Sequence, residues 1–317
     1  MPTIGLIGLG NAGRPIAERI LQRGYSLTVY DLNPGAAESL VQRGAHKAGS
    51  AKEAVGDLTF TVLPSSIEVR QSVFGESGVL AAIRSGMTLI DLSGTDPDCA
   101  CEIQSKLKDK QTAFLGGTIH ASGAPAVVIP EGQFSIVIGG NREEIDRCIP
   151  VLSSLANTII CLSEPWMPKA FKIAIIMYST ANSIVTAEIC AWLTAQGADP
   201  NLFLKLLQTT GSQASAARLE EFMKRNNNNG GALSNSYKDL RQALKVAAEL
   251  EIPMPLLSMA NQVQEMARAR GFTRLNSPAA MGKLYELLTG IDLTGATLDG
   301  ERKLREPREP TVLYLGY

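Results

Sequence analysis

The chain has 317 residues, of which 45% are hydrophobic and 19% are charged, a composition typical of a globular protein of about two domains. Its 30 basic and 31 acidic residues give a formal net charge of -1, which argues against a nucleic-acid-binding surface or a polybasic membrane patch. Five cysteines form no C-x-x-C pair and the two histidines lie far from any ligand spacing, so we predict reduced thiols, no metal and a small-molecule substrate.

The first predicted element is an apolar strand from Thr3 to Ile7, followed by three glycines spaced G-x-G-x-x-G and then by a helical pattern. A strand that breaks into a glycine turn and a helix is typical of dinucleotide binding, because the backbone must approach a pyrophosphate more closely than a side chain permits. The competing interpretation is that the glycines only tighten a turn. We predict that the cofactor-binding turn comprises Gly8, Leu9, Gly10, Asn11, Ala12 and Gly13.

A second predicted strand, Leu27 to Asp31, ends on a carboxylate about 20 residues after the glycine turn, where such a group can bond the ribose hydroxyls. Asp31 would repel a 2′-phosphate, and no arginine follows it directly. The alternative is a solvated strand end. The sequence therefore predicts NAD as the cofactor, with Asp31 as one of its ligands.

Further strands and loops continue the α/β pattern. After a predicted crossover helix over residues 36–43, strands at 58–63 and 87–93 end in loops that we expect to contact the cofactor, because loops at strand C-termini line the ligand crevice. The predicted contact residues are Leu63, Pro64, Ser93 and Thr95. A strand at 112–115 then opens onto a small-residue segment, residues 116–125, which we interpret as the substrate loop.

Two more strands, at 134–140 and 158–162, flank a helix at 142–152, and from residue 165 onward the pattern is helical. The predicted fold is α/β: a Rossmann-type doubly wound sheet (residues 1–163), then a long interdomain helix and an all-α C-terminal domain (164–299), then a tail (300–317). The long helix is expected to end at Gly197. Its apolar run at 170–177 is too short and polar for a membrane span, and without a recognisable signal peptide we expect a cytoplasmic protein.

Over residues 3–295 the chain resembles the β-hydroxyacid dehydrogenases, the 3-hydroxyisobutyrate dehydrogenase-like family. The segments that carry the resemblance are Gly8-Leu9-Gly10-Asn11-Ala12-Gly13-Arg14-Pro15, close to the family's G-L-G-x-M-G-x-P opening, Asp31-Leu32-Asn33-Pro34 and Asp91-Leu92-Ser93. The resemblance implies NAD-dependent hydride transfer to or from a 3-hydroxy acid or a related alcohol. It also implies a homodimer or homotetramer whose cleft is completed by a second subunit.

Two lysines carry the chemistry in that family, and the resemblance places them at Lys172 and, in the K-D-L motif, at Lys238. Lys172 is the predicted general acid/base, and its apolar sequence surroundings would lower its pKa by desolvation. The alternative is that Lys172 extends along the helix surface to solvent. Lys169 is the local competitor, which we expect at the start of the helix.

Several residues depart from the family pattern. Gly94 replaces a threonine that contacts the nicotinamide side, a role Thr95 could take, and Ile176 replaces an asparagine, so we expect a more apolar or differently oriented substrate. The family has the motif D-x-P-V-S-G-G after the strand at 112–115, where this chain has a different sequence from Gly116 to Gly123. Either His120 or the pair Ser122 and Gly123 would therefore bind the substrate's polar group.

The segment from Gly116 to Ala121 also looks like the imine reductases, which share this fold. An imine reductase-like enzyme is therefore the alternative function. A non-catalytic cofactor-binding protein is the second alternative, suggested by the missing asparagine and by the family's glycines before Lys172, which are here Trp166 and Pro168.

Overall fold

The computed structural model describes residues 1–121, 125–224 and 232–293. Their first half contains an eight-stranded sheet with the order β3-β2-β1-β4-β5-β6-β7-β8. All neighbouring strands are parallel except β6 and β7. The strands are β1 (Ile4–Ile7), β2 (Leu27–Tyr30), β3 (His46–Lys47), β4 (Leu58–Thr61), β5 (Thr88–Asp91), β6 (Ala113–Ala121), β7 (Phe134–Gly139) and β8 (Thr158–Leu162).

Helices cover both faces of this sheet, as a doubly wound fold requires. They are α1 (Gly13–Gln22), α2 (Glu38–Val41), α3 (Ser66–Phe74), α4 (Pro97–Lys108), α5 (Pro125–Val128) and α6 (Arg142–Leu155). Successive strand residues point to opposite faces, so Ile90 packs in the same cluster as α1 and α6, whereas Leu89 packs with α3 and α4. The strand order reverses between β1 and β4, which is where ligands bind in open α/β sheets. The predicted Rossmann-type sheet is confirmed.

Strand β6 is longer than the sequence pattern predicted. It continues through Ala121, pairing with β7 from Gly116 opposite Gly139 to Ala121 opposite Phe134. The interpretation of residues 116–121 as a loop is therefore wrong, and His120 lies on a strand. Gly116 and Gly139 do not form a loop but make room for a neighbouring segment. A Cβ on either would overlap a carbonyl oxygen of Glu164–Pro165, which packs directly on these two strands.

Smaller differences occur around β2 and β4. The predicted crossover helix is a 3-10 turn at Pro34–Ala37 followed by the single turn α2, and helix α3 and the short strand β3 were not predicted. Pro34 and Gly35 start the turn, and the side chain of Asn33 caps it by accepting from the Gly35 N–H. The local chemistry thus favours a tight turn over a long helix.

The second half is helical, as predicted. It contains α7 (Met167–Ala195), α8 (Pro200–Thr209), α9 (Gln213–Lys224), α10 (Leu233–Glu249), α11 (Pro255–Ala269) and α12 (Ser277–Thr289). Helix α7 ends where expected: Gly197 has a φ of 79° and donates its N–H to the carbonyl of Thr194. Residues from five of these helices form one core, to which α7 contributes Ile184, Ala187 and Cys190.

The chain divides into two units, residues 1–172 and residues 173–317, with the division inside α7. The domain boundaries at 163/164 and 299/300 stay a prediction, and the tail 300–317 lies outside the described residues. Helix α7 is long and apolar enough to cross a membrane by length and composition, unlike the shorter run at 170–177. Because one face of α7 packs in the core of the second unit, length and composition alone do not assign it to a membrane.

Candidate cofactor and catalytic site

The three glycines of the turn after β1 differ in what their surroundings require. Gly8 has a φ of 99° and a Cβ there would overlap the carbonyl of Val62, and a Cβ on Gly13 would overlap the carbonyl of Gly8. At Gly10, by contrast, a Cβ would meet no atom within 4 Å. Gly8 and Gly13 are therefore required by the fold itself, whereas Gly10 leaves open space at the start of α1.

Helix α1 begins at this turn without a side-chain cap and without an acidic residue in its first turn. The N-terminus of a helix carries a partial positive charge and presents N–H groups, which favour an anion. Open space at Gly10 beside an uncapped helix start fits the pyrophosphate of a dinucleotide. The predicted contacts of Leu9, Asn11 and Ala12 with the cofactor stay a prediction.

Asp31 follows the last residue of β2 and is held by the backbone. Its Oδ2 accepts the N–H of Leu9 at 2.7 Å, and its Oδ1 accepts the N–H of Asn33 at 2.8 Å. Because each carboxylate oxygen can accept further hydrogen bonds, the group can still bind ribose hydroxyls. Asp31 thus connects the glycine turn to the end of β2. Nearby in the chain, Arg14 donates to the hydroxyl of Ser39 at 2.9 Å.

The loops after β4 and β5 contact one another through Ser93. Its hydroxyl accepts the N–H of Leu63 at 2.9 Å, and the N–H of Gly94 donates to the carbonyl of Leu63 at 3.4 Å. Gly94 also lies near Pro64, whose carbonyl would be 3.8 Å from a Cβ at Gly94. Thr95 donates its hydroxyl to Asp91 at 3.1 Å. The hydroxyls of Ser93 and Thr95 are thus used inside the protein, which leaves backbone groups of these loops to face a ligand.

A buried ion pair supports these loops, and it was missed in the sequence. Lys169 and Asp91 are both fully buried, with Nζ 2.9 Å from Oδ2. Burial alone would raise the pKa of Asp91, but the charge of Lys169 and hydrogen bonds from Lys169, Ser93 and Thr61 lower it below its ordinary value. A carboxylate at the end of an apolar strand requires a partner, and that signal indicates that Asp91 is paired without identifying Lys169.

Lys172 lies one turn beyond Lys169 in α7, still within the first unit. Its side chain is half-buried, and its Nζ would be 3.5 Å from a Cβ at Gly94. A residue without a side chain at position 94 therefore leaves room beside this ammonium group. The structure places Lys172 against the loop that follows β5, which is one of the predicted cofactor loops.

His120 is near enough to Lys172 for the two to interact electrostatically. Burial, and then the charge of Lys172, lower the pKa of His120, so the imidazole is neutral at pH 7. Among the described residues its Nε2 is buried and has no hydrogen-bond partner, and the same holds for the hydroxyl of Thr118, two residues earlier on β6. A neutral imidazole with one open nitrogen can donate or accept a single hydrogen bond.

The structure does not bring the other predicted substrate residues together with His120 and Lys172. Ser122 and Gly123 fall outside the described residues. Ile176 and Lys238 belong to the second unit, where Ile176 is half-buried in α7 and the Nζ of Lys238 is 3.5 Å from Oδ1 of Asp239. The described residues contain no cluster of three or more side chains able to hold a metal ion, and all five cysteines are free.

The sheet, the glycine turn and the acidic end of β2 define a dinucleotide-binding protein. Residues 3–163 match the family model described as the NAD-binding domain of 6-phosphogluconate dehydrogenase. Residues 168–284 match the model described as the NAD-binding domain of NADP-dependent 3-hydroxyisobutyrate dehydrogenase.

Several characterised enzymes are similar along most of the chain. The 2-(hydroxymethyl)glutarate dehydrogenase of Eubacterium barkeri is 28% identical, covering 92% of this chain and 97% of that enzyme. The 3-sulfolactaldehyde reductase of Escherichia coli is also 28% identical, covering 86% and 92%. The chain belongs to the β-hydroxyacid dehydrogenase family and is an NAD(P)-dependent dehydrogenase acting on CH–OH groups of small molecules.

Solved structures share the fold. The 3-hydroxyisobutyrate dehydrogenase of Mycobacterium tuberculosis superimposes with a TM-score of 0.77 at 24% identity, covering 90% of this chain and 99% of that one. An imine reductase from Myxococcus stipitatus gives a TM-score of 0.58 at 21% identity, covering 88% and 98%. At these identities the likeness concerns the fold alone, and it extends to both enzyme classes considered from the sequence.

Proposed function

We propose that the protein transfers a hydride between NAD and a 3-hydroxy acid or a related alcohol, with Lys172 as the general acid/base. The observation that carries this proposal is the different state of the two lysines at the start of α7. The ammonium of Lys169 is fully buried against four oxygens, whereas Lys172 is half-buried beside Gly94 at the predicted cofactor loop. Of these two lysines, Lys172 is the one placed to reach a ligand at that loop.

Lys172 would move the proton of the reaction. In oxidation its neutral amine takes the proton of the substrate hydroxyl, and in reduction its ammonium returns a proton to the carbonyl oxygen. NAD, when bound, supplies the hydride acceptor. The glycine turn and Asp31 would hold the dinucleotide, and the loops containing Leu63, Pro64, Ser93 and Thr95 would position its reactive end. Lys238 would contribute to the nicotinamide or substrate site from the second unit.

His120 would orient the substrate after a rotation of its imidazole ring, because its unpartnered Nε2 is buried. A neutral imidazole supplies one hydrogen bond and no charge. It can therefore bind a hydroxyl, a carbonyl or one carboxylate oxygen, but it cannot neutralise the charge of a carboxylate. Ser122 and Gly123 are the alternative ligands for this group. Together with the apolar Ile176, these residues favour a substrate less polar than a short hydroxy acid.

The choice of NAD over NADP rests on Asp31. Its carboxylate is held by the N–H groups of Leu9 and Asn33, and a fixed negative charge at the end of β2 favours ribose hydroxyls over a 2′-phosphate. Arg14, at the start of α1, donates to the hydroxyl of Ser39. This arginine is the feature that would favour NADP, because its positive charge could pair with a 2′-phosphate. Both cofactors therefore belong in any assay.

A homodimer, or a tetramer built from it, is supported by the exposed face of α7. Between residues 173 and 195 its exposed apolar side chains recur at alternating intervals of three and four residues, and Asn182 occupies one position of this repeat. The same spacing is typical of the seam of a coiled coil. These side chains are Ile175, Tyr178, Val185, Ile189 and Trp192. Such a stripe suits a second copy of the chain. Five free cysteines agree with the proposed cytoplasmic location.

An absorbance screen for the reduced cofactor tests this function. Hydroxy acids, β-hydroxy amino acids and cyclic imines are each tested in both directions with NAD(H) and NADP(H). We expect an NAD-dependent signal on an alcohol. A signal confined to imines would establish the imine reductase alternative instead. Tight cofactor binding without turnover of any substrate class would establish the non-catalytic alternative.

A further inference from the structure

Lys169 differs from every other lysine that the structure describes, because its side chain is completely buried. Its Nζ lies 2.9 Å from Oδ2 of Asp91, 3.0 Å from the carbonyl of Asp91, 3.0 Å from the carbonyl of Ser93 and 2.6 Å from the carbonyl of Gly117. One ammonium group therefore joins the C-terminal end of β5, the loop after it and the middle of β6. This arrangement leaves Lys169 no access to a substrate.

The backbone that carries Lys169 is also fixed. The segment just before α7 lies against β6 and β7, where the carbonyls of Glu164 and Pro165 occupy the space of the absent side chains at Gly139 and Gly116. Any side chain at these glycines would force the segment away from the sheet. The first turn of α7 is thus held from two sides, by backbone packing before Lys169 and by its ammonium group at the sheet.

The effect of the ion pair extends to the predicted cofactor loops through Asp91. Its Oδ1 accepts the N–H of Ser93 at 3.0 Å and the hydroxyl of Thr61 at 2.7 Å. Its Oδ2 accepts the hydroxyl of Thr95 in addition to Lys169. Ser93 in turn accepts the N–H of Leu63, so the loops after β4 and β5 are both connected to the same buried charge pair.

Lys172 also lies near this loop. It follows Lys169 by three residues, so the two side chains lie on one face of α7, and its Nζ would be 3.5 Å from a Cβ at Gly94. Both lysines of this helix turn are therefore directed at the segment 93–95: Lys169 donates to the carbonyl of Ser93, and the Nζ of Lys172 lies near Gly94. Because Asp91 neutralises Lys169, the anchor adds little repulsion to the second ammonium group.

We propose that Lys169 is a positioning residue, which fixes the loop 93–95 and the start of α7 relative to one another and so sets the place of Lys172. The role of the loop in holding the cofactor and of Lys172 in proton transfer rests on the proposed function. The anchoring itself rests only on the buried contacts.

Three variants separate anchoring from general stability. Lys169→Met removes the ammonium and leaves Asp91 buried without its charge partner, so it can fail to fold. The double variant Asp91→Asn with Lys169→Met removes both charges at similar volume and so leaves no unpaired buried charge. It also leaves the carbonyls of Asp91, Ser93 and Gly117 without the ammonium donor, so we expect it to fold but to melt below the wild type. Lys108→Met, at an exposed position in the last turn of α4, is the matched control for loss of a lysine.

The first measurement uses the protein without cofactor, by hydrogen exchange at the amides of Leu63 and Ser93. In the double variant we expect these amides to exchange roughly tenfold faster. Asp91→Asn weakens the acceptor of the Ser93 N–H, and loss of the Lys169 ammonium releases the loop whose Ser93 hydroxyl accepts the Leu63 N–H. Lys108→Met should leave them unchanged. Wild-type exchange at both amides in a folded double variant would overturn the proposal, whatever the enzyme's activity.

The second measurement is steady-state kinetics as a function of pH, with a substrate found in the screen. The double variant should lose up to about a hundredfold in kcat through misplacement, with a raised Kd for NADH, while keeping the pH-dependent limb that reports Lys172. Lys172→Met should lose that limb. If the limb disappears with Lys169 but survives Lys172→Met, Lys169 transfers the proton and the positioning role is wrong. If the wild type turns over no substrate, the proposed function fails, and hydrogen exchange still decides the anchoring.

Discussion

Substituting Gly10 by alanine separates the part of the glycine turn that serves the fold from the part that faces a ligand. A Cβ at Gly10 would meet no protein atom within 4 Å, so Gly10→Ala should change the free energy of unfolding by no more than about 0.5 kcal/mol. At Gly13 the same change forces a Cβ into the carbonyl of Gly8, and we expect roughly 1–3 kcal/mol of destabilisation from overpacking.

Gly10→Ala should weaken cofactor binding although it leaves stability almost unchanged. A methyl group at Gly10 would occupy the space in which the backbone meets the pyrophosphate, at a cost of about 1–3 kcal/mol, or roughly a 5- to 150-fold rise in Kd. Urea unfolding of the cofactor-free protein and fluorescence titration with NADH measure the two effects separately. If Gly10→Ala binds NADH as the wild type does, the dinucleotide does not lie on this turn. If it destabilises the cofactor-free protein as much as Gly13→Ala, the open space at Gly10 is not real.

Three further predictions concern selectivity, acid stability and assembly. Asp31→Ala should shift the ratio of NADPH to NADH affinity by roughly ten- to a hundredfold toward NADPH in the same titration, and an unchanged ratio would contradict the assignment of NAD. Because the folded pKa of Asp91 is lowered, its stabilising pairing is complete above the ordinary carboxyl pKa of about 4 and is lost as the pH falls through the folded value. The double variant with Asp91→Asn and Lys169→Met should therefore show a flatter acid limb in melting temperature against pH, and an equally steep limb would refute this linkage. Val185→Glu, in the exposed stripe of α7, should dissociate the proposed dimer in sedimentation experiments without lowering the helical content, whereas an intact dimer would place the interface elsewhere.

Most of the fold could be predicted because its signals are local. Apolar runs and helical periodicity indicated seven of the strands and the order of the helical second half, and the glycine spacing indicated the turn before α1. The errors arose where glycine has a tertiary rather than a local role. Gly116 and Gly117 suggested a loop, but they lie in β6, where they accommodate the carbonyl of Pro165 and the side chains of Leu92 and Ile138. That requirement is invisible until the segment before α7 has been placed.

The candidate site could be predicted only in part for a related reason. The residues of the glycine turn and Asp31 follow directly from spacing along the chain, and the structure places them together. The pairing of Lys169 with Asp91 joins residues 78 positions apart, and neither residue stands in a motif that names the other. A buried charge implies a partner, but sequence alone does not say which one. His120 gained its significance from the same kind of information, since its proximity to Lys172, far along the chain, is visible only in the structure.

The central claim, that Lys172 transfers the proton, is tested most directly by the turnover of Lys172→Ala at saturating cofactor and substrate. We expect kcat to fall by roughly two to four orders of magnitude, while the Kd for NADH and the melting temperature stay close to those of the wild type. Near-normal turnover on the substrate identified by the screen would contradict the claim.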